Sequence, residues 1–469
     1  MQIKEFQLQN FGRFEHLEAS FMENEPTPAK VIVLVGNNGA GKTSILKALA
    51  TSLSWFVGRV RSEKGTGSPI AEHAILNGAA SAAIDILVTG TAAKEAPLRW
   101  TIARTRQGRT KQFQSDLSDA TRLAEHYRAL LTDANECSLP LVAYYPVERS
   151  VMEAPLRVRK RKAFDQVSGY EEFLNPAVGF AGFFEWFRDR EDHENERVSE
   201  MVTVLITEGW TSQVFNHIND TSPLVVDVKP ASLTLSEKLR HLTSTQRDRQ
   251  LSAVRLAIEH FMPGFSNLRV QRKPRLQLMV DKDGQSLDIL QLSQGEKSLM
   301  ALVGDIARRL SLMNPALENP LHGSGVVLID EVDMHLHPSW QRDVIRNLTH
   351  TFPNCQFILT THSPLVISDY PDVLVLSLND GQLEKVPSQF GQDANTVLLD
   401  VMDTHIRNPE VGSKLNDTLD AIQTGRLEEA RQLIADLEKW LPPSNLELTR
   451  AKLFLRKQEL RLEKDRQRR

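Results

Sequence analysis

The sequence predicts an α/β fold, a head built around a phosphate-binding loop and carrying a small antiparallel β lobe, a helical insertion and a C-terminal helical bundle. Three observations predict it. The apolar run Val31 to Val35 feeds the glycine-rich segment Gly36-Asn37-Asn38-Gly39-Ala40-Gly41-Lys42-Thr43-Ser44, the pattern of a strand, a loop that cradles phosphates and a helix. Two more apolar runs, Val326 to Ile329 and Phe357 to Thr360, each end in polar residues, as buried strands do at the functional edge of a sheet. The residues between and after them alternate with the periods of strands or helices.

In chain order, Ile3 to Asn10 and Phe14 to Phe21 read as strands joined through Asn10-Phe11-Gly12-Arg13. In the loop after Val35, small residues let backbone N–H groups close around phosphates. Lys42 offers its charge to the β and γ groups, and the Thr43 hydroxyl can ligand Mg²⁺. The helix that follows is predicted from Ile45 to about Phe56. Arg59 to His73, rich in Gly, Ser and charge, reads as a mobile stretch. Ala83 to Thr89 and Leu98 to Arg106 alternate as strands of the antiparallel lobe, and Leu139 to Arg149 reads as a core strand with its exit loop.

Phe180, Phe183, Phe184, Trp186 and Phe187, followed by the charged run Arg188 to Glu196, predict a helix with an aromatic base and a charged end, its rings in the core. Leu276, Leu278 and Val280 alternate toward Asp283-Gly284, a favoured hairpin turn. Next come Leu292-Ser293-Gln294-Gly295-Glu296 and an apolar helical pattern from Leu299 to Leu310; Ser293 and Glu296 also fit a capping box. The adjacent carboxylates Asp330 and Glu331 imply hydrolysis, because in P-loop enzymes the first holds Mg²⁺ and the second polarises a water. His362 lies just past the Phe357 strand. His335 and His337 are spaced like metal ligands, but no third ligand accompanies them. Leu415 to Ile422, Leu427 to Leu437 and the stretch from Ser444 onward predict three helices, the first two broken near Thr424-Gly425.

In this order and spacing, the glycine-rich loop, the Ser-Gln-Gly-Glu segment, the carboxylate pair and the histidine resemble the ABC-type ATPase class of SMC-like, RecF-like and overcoming-lysogenization-defect proteins. The resemblance implies that Asn37 to Ser44 hold ATP, that Thr43 and Asp330 hold Mg²⁺, that Glu331 is the catalytic base and that His362 contacts the γ-phosphate. Ser293, Gln294, Gly295 and Glu296 would form the signature, acting in trans on nucleotide held by another protomer, so a lone subunit should hydrolyse poorly. The segment after Glu331 would be the loop where protomers meet. The glutamine that commonly leaves a neighbouring strand in this class is missing; Pro146, Glu148 and Arg149 stand there instead.

Composition narrows the setting. With 41% hydrophobic and 25% charged residues in 469, the chain can build one large core and a smaller one. No apolar run approaches the ~20 residues that span a bilayer, and the first residues lack a secretory pattern. Cys137 and Cys355 are far apart, which fits a reducing cytoplasm. The net charge of −4 makes no case for nucleic acid, but Arg157, Arg159, Lys160, Arg161 and Lys162 form a run that could neutralise phosphates of DNA or RNA, with solvated surface as the alternative.

After His362 there is neither an Asp-x-Asp pair nor an HNH-like array, so the chain is not expected to cut nucleic acid itself. The aromatic and acidic insertion, His335-Leu-His337-Pro338, Gly391-x-Asp393-x-Asn395 and the helical tail look like the bacterial anti-phage ATPases of the PtuA type, from Septu systems and nuclease-associated retrons. That likeness implies a homo-oligomer controlling a separate nuclease, HNH-type favoured. A PARIS-type sensor and a RecF-like ATPase that clamps DNA are the alternatives. The expected parts are residues 1–160 and 266–390 for the two halves of the head, 161–265 for the insertion and 391–469 for a tail available for partner docking.

Overall fold

A computed structural model describes residues 1–24, 27–90, 97–133, 137–147, 164–174, 180–207 and 247–467, which fall into two compact units, Met1–Gln392 and Asp393–Arg469. Strand β1 (Gln2–Phe11) buries Ile3, Phe6, Leu8 and Phe11, with a bulge between Ile3 and Glu5 that resets the phase of its alternation. It pairs with β2 (Phe14–Ser20), and a short ribbon, β3 (Met22–Asn24) with β4 (Thr27–Pro28), leads into β5 (Val31–Val35). After helix α1 (Lys42–Arg61), strands β6 (Ser81–Thr89) and β7 (Leu98–Thr105) complete a four-stranded antiparallel sheet in the order β2-β1-β6-β7.

Helix α1 is longer at both ends than its sequence pattern predicts. The glycine loop passes directly into it at Gly41, and Val57 and Val60 carry its buried stripe past Phe56. The stretch after it, read from composition as mobile, lies against the helix. Ser68 N–H donates to Ser54 Oγ at 2.8 Å, the Trp55 indole donates to Ser68 O at 3.1 Å, and a Cβ on Gly67 would stand 2.4 Å from the Trp55 backbone. Its glycines permit this close approach.

Helix α2 (Ser118–Asp133) precedes β8 (Leu141–Tyr145). The described part of the insertion is a 3-10 turn at Gln166–Tyr170, helix α3 (Phe180–Thr207) and helix α4 (Arg249–Phe261). Phe183, Phe184, Trp186 and Phe187 are buried, as their spacing predicts. Strands β9 (Phe265–Gln271), β10 (Gln277–Lys282) and β11 (Gln285–Asp288) form a three-stranded sheet whose β10–β11 turn has Asp283 and Gly284 at φ 49° and 80°.

Helix α5 (Gln294–Met313) is buried on nearly every side. After it come β12 (Gly325–Ile329), α6 (Pro338–Thr351), β13 (Cys355–Thr360), the single turn α7 (Pro364–Ser368), β14 (Leu374–Asn379) and β15 (Gln382–Val386). The central sheet has the order β15-β14-β5-β13-β12-β8, parallel except for β15. Its strands β5, β8, β12 and β13 are buried at every position, which explains why they read as continuous apolar runs. Cys137 and Cys355 are both buried free thiols.

The second unit contains α8 (Ala394–Asp400), α9 (Pro409–Gln423), α10 (Leu427–Glu438) and α11 (Leu446–Gln467). Leu415, Ile422, Ala430, Ile434, Leu437, Leu448 and Leu455 belong to its own core. Gly425, at φ 78°, makes the break between α9 and α10. Leu446, Leu453 and Leu460 are exposed. Among the described residues, no helix is long and apolar enough to cross a membrane.

Candidate functional site

The pairing register sets the site. Leu34 is level with Thr360, Leu359 with Ile329, and Ile329 with Tyr145, so the chain leaves four neighbouring strands at one edge, through Gly36, Thr361, Asp330 and Pro146. In parallel α/β sheets this is the edge where ligands bind.

The loop from Gly36 to Gly41 can be built only with glycine at key points. Gly36, Gly39 and Gly41 have φ of 143°, 77° and 115°, values that L side chains rarely adopt. A Cβ on Gly41 would lie 2.5 Å from the Phe14 ring, and one on Gly36 would lie 2.6 Å from the Leu378 carbonyl. Lys42 folds over the loop, its Nζ donating to Gly36 O at 2.7 Å and Asn37 O at 3.2 Å. Burial lowers the Lys42 pKa, and the charges of Asp330, Glu331 and Asp333 oppose that shift. Asn37, Asn38 and Gly39 are exposed, while Ala40, Thr43 and Ser44 are half-buried. Arg13, in the β1–β2 turn, donates from Nη1 to Gly39 O. Its role as a loop tether was not evident from sequence.

Thr360, the last residue of β13, organises the carboxylates after β12. Its hydroxyl donates to Asp330 Oδ1 at 2.6 Å and accepts the Glu331 N–H at 2.8 Å, and its carbonyl accepts Val332 N–H at 3.0 Å. Asp330 is buried and its own N–H donates to Tyr145 O at 2.8 Å. Glu331, half-buried, sits at φ 46°, a left-handed conformation held by these bonds. Thr361 Oγ1 donates to Asp333, and the exposed His362 comes next.

Ser293 is the N-cap of α5, and the capping box is complete. Glu296 Oε2 accepts Ser293 N–H at 2.8 Å, and Ser293 Oγ accepts Glu296 N–H at 3.3 Å. The other Glu296 oxygen accepts from Lys282 Nζ at 2.6 Å. Burial would raise the Glu296 pKa, but Lys282 and Ser293 outweigh it and hold the carboxyl below its usual range. Ser293 and Gln294 are exposed, whereas Gly295 is buried and a Cβ there would meet the His335 carbonyl at 2.3 Å. His337 caps α6, its Nδ1 accepting Ser339 N–H at 3.3 Å. Among the described residues no cluster of three His, Cys, Asp or Glu could hold a metal by itself.

Two charged networks escaped sequence reasoning. Asp305, inside α5, takes Arg308 and Arg309 at 2.6 Å each and the Tyr145 hydroxyl at 2.9 Å. Arg309 also donates to Gly169 O and Glu171 O, fixing the start of the insertion. Glu191, in the charged half of α3, is buried with Arg255 and Arg272 at 3.1 Å each. The Asp305 network had a visible signal, an Asp-x-x-Arg-Arg spacing on an otherwise apolar helix. Glu148, Arg149 and the basic residues Arg157, Arg159, Lys160, Arg161 and Lys162 lie outside the described residues.

A P-loop on β5, a carboxylate pair after β12, a histidine after β13 and a capped Ser-Gln-Gly-Glu helix together define the class, an ABC-type P-loop ATPase head. Residues 5–201 match the family described as "AAA domain", and residues 167–368 match "AAA domain, putative AbiEii toxin, Type IV TA system". The chain is 33% identical to the Retron Ec83 probable ATPase of Escherichia coli over 97% of its own length and 87% of that protein's. It is 31% identical to the Retron Vc95 probable ATPase of Vibrio cholerae serotype O1 biovar El Tor, over 86% and 79%. It therefore belongs to the family of these retron ATPases. A shorter similarity, 38% over 23% of this chain and 15% of the other, links it to the Septu protein PtuA of Bacillus mycoides. Among solved structures, the SMC head bound to the C-winged helix domain of ScpA is 16% identical with a TM-score of 0.43, covering 82% of this chain and 97% of that one.

Proposed function

We propose that this chain is the ATP-binding and ATP-hydrolysing regulatory subunit of a bacterial anti-phage defence complex, a cytoplasmic homo-oligomer that controls a separate nuclease, HNH-type favoured. The observation that carries the reading is the convergence of Lys42, Asp330, Glu331 and His362 at one edge of the central sheet. The retron relatives and the similarity to PtuA support the defence role.

The residues fit a magnesium nucleotide. Lys42 is buried and turned into the loop, and a Cβ at Gly36 or Gly41 would strike Leu378 or Phe14, so only glycine lets the loop take this path. Backbone N–H groups from Asn37 to Ser44 bind phosphate oxygens, and Lys42 exchanges its loop carbonyls for the β and γ groups. Thr43 and Asp330 would hold Mg²⁺, which when bound neutralises phosphate charge. Two protein ligands suffice, because a magnesium ion in such sites takes its other oxygens from phosphate and water. Glu331 accepts the proton of the attacking water, His362 contacts the γ-phosphate, and Ser293 to Glu296 close over the site from another protomer.

Native mass spectrometry of the tagged chain, purified with ATP and Mg²⁺ from cells carrying its gene neighbourhood, tests the proposal. A higher oligomer holding a small nuclease is the expected result. A plain dimer holding DNA would replace it with a RecF-like clamp, the reading that the basic run at Arg157 to Lys162 favours.

A further inference from the structure

Resting on the nucleotide-sandwich reading above, we propose that Lys282 is a positioning residue for hydrolysis, its ammonium cancelling the charge of Glu296 so that the signature helix of one protomer can approach the nucleotide of another.

The argument starts from a conflict within the capping box. Ser293 Oγ accepts Glu296 N–H, which leaves its hydroxyl proton free to donate to an incoming phosphate oxygen. The start of α5, exposed at Ser293 and Gln294, also presents the positive end of a 20-residue helix. The carboxylate that completes the cap, however, places a negative charge in that same turn. It would face a polyphosphate at short range, where like charges repel strongly. The cap therefore organises the phosphate-binding end and at the same time weakens it.

Lys282 resolves the conflict. It stands at the end of β10, beside the tight turn at Asp283 and Gly284, and its Nζ lies 2.6 Å from Glu296 Oε1 and 5.6 Å from the centre of the Phe265 ring. The ring contact and the short hairpin hold the ammonium in place. The Glu296 side chain is only 11% exposed and that of Lys282 35%, so water does not fully screen the pair. Glu296 keeps one oxygen on Ser293 N–H and gives the other to Lys282, so cap and neutralisation use separate atoms.

The test uses the full chain with Mg·ATP and the variants Lys282→Met and Lys282→Met/Glu296→Gln. Binding of a fluorescent ATP analogue to dilute protomers should stay within about twofold of wild type, because Lys282 does not belong to the P-loop side. Turnover of Lys282→Met should fall about tenfold, the order expected for a partly shielded charge pair. ATP-dependent association in a Glu331→Gln background should weaken in parallel. Adding Glu296→Gln should raise turnover several-fold above that of Lys282→Met alone, since an amide oxygen still caps Ser293 N–H without a charge. Wild-type turnover in Lys282→Met, or no rescue by Glu296→Gln, would overturn the inference and reduce the pair to a structural tie. Failure of the wild-type chain to bind ATP at all would instead overturn the nucleotide reading, and the inference with it.

Discussion

Helix α5 carries two ion-paired carboxylates, one at each kind of address a protein offers. Glu296, at the start of the helix, is 11% exposed and takes its partner, the 35% exposed Lys282, from another element. Asp305 lies about two and a half turns further in, takes Arg308 and Arg309 from its own helix, and all three side chains are under 10% exposed. Both carboxyls titrate below their usual range because the paired cations outweigh the effect of burial. Yet the first pair ends in a cation that water still reaches, while the second cannot lose one member without stranding charge in the core. The helix teaches that position, not chemistry, separates a pair open to water from one locked into the core.

The strongest way to break this contrast is Asp305→Asn. It removes the carboxylate that two buried guanidiniums share and should cost about 3–5 kcal/mol, read as a lower midpoint in urea; an unchanged midpoint would remove the distinction. The pH dependence sharpens it. Because the folded Asp305 carboxyl titrates below its unfolded value, its stabilisation is fully present above the ordinary carboxylate range near pH ~4 and fades as pH falls below it. The gap between wild type and Asp305→Asn should therefore hold from pH 6 to about pH 5 and narrow progressively as pH falls below about 4.

At the functional edge the expected pattern is the reverse. Glu331→Gln should lower ATP turnover by about 10²-fold or more with a urea midpoint close to wild type, and should trap an ATP-loaded oligomer. Gly295→Ala is the intermediate case. Its Cβ would press on the His335 carbonyl, a backbone atom that cannot swing aside, so a loss of about 1–3 kcal/mol should accompany slower turnover. Full stability in that variant would show that the two segments part readily.

Sequence legibility followed the same line. The loop, the carboxylate pair, His362 and the capping box could be read because each is local, its residues adjacent or one turn apart. The β5, β12 and β13 runs were legible because strands buried on both faces have few polar positions. What stayed hidden depends on distant pairings: Thr360 steering Asp330 and Glu331, Lys282 reaching Glu296, and Glu191 finding Arg255 and Arg272 across the insertion. At Arg59 to His73 composition alone did not reveal that the glycines let the chain pack closely against α1.

The two native thiols carry a practical consequence. Cys355 is buried at the start of β13, which pushes its pKa up to about 12, and burial also raises that of Cys137 despite its bond from Gln166. Reactivity belongs to the thiolate, so neither should take up maleimide in the folded chain at neutral pH. A single cysteine introduced at an exposed site such as Leu453 would then be the only position to label, and wild-type protein supplies its own blank for fluorescence or spin-probe work.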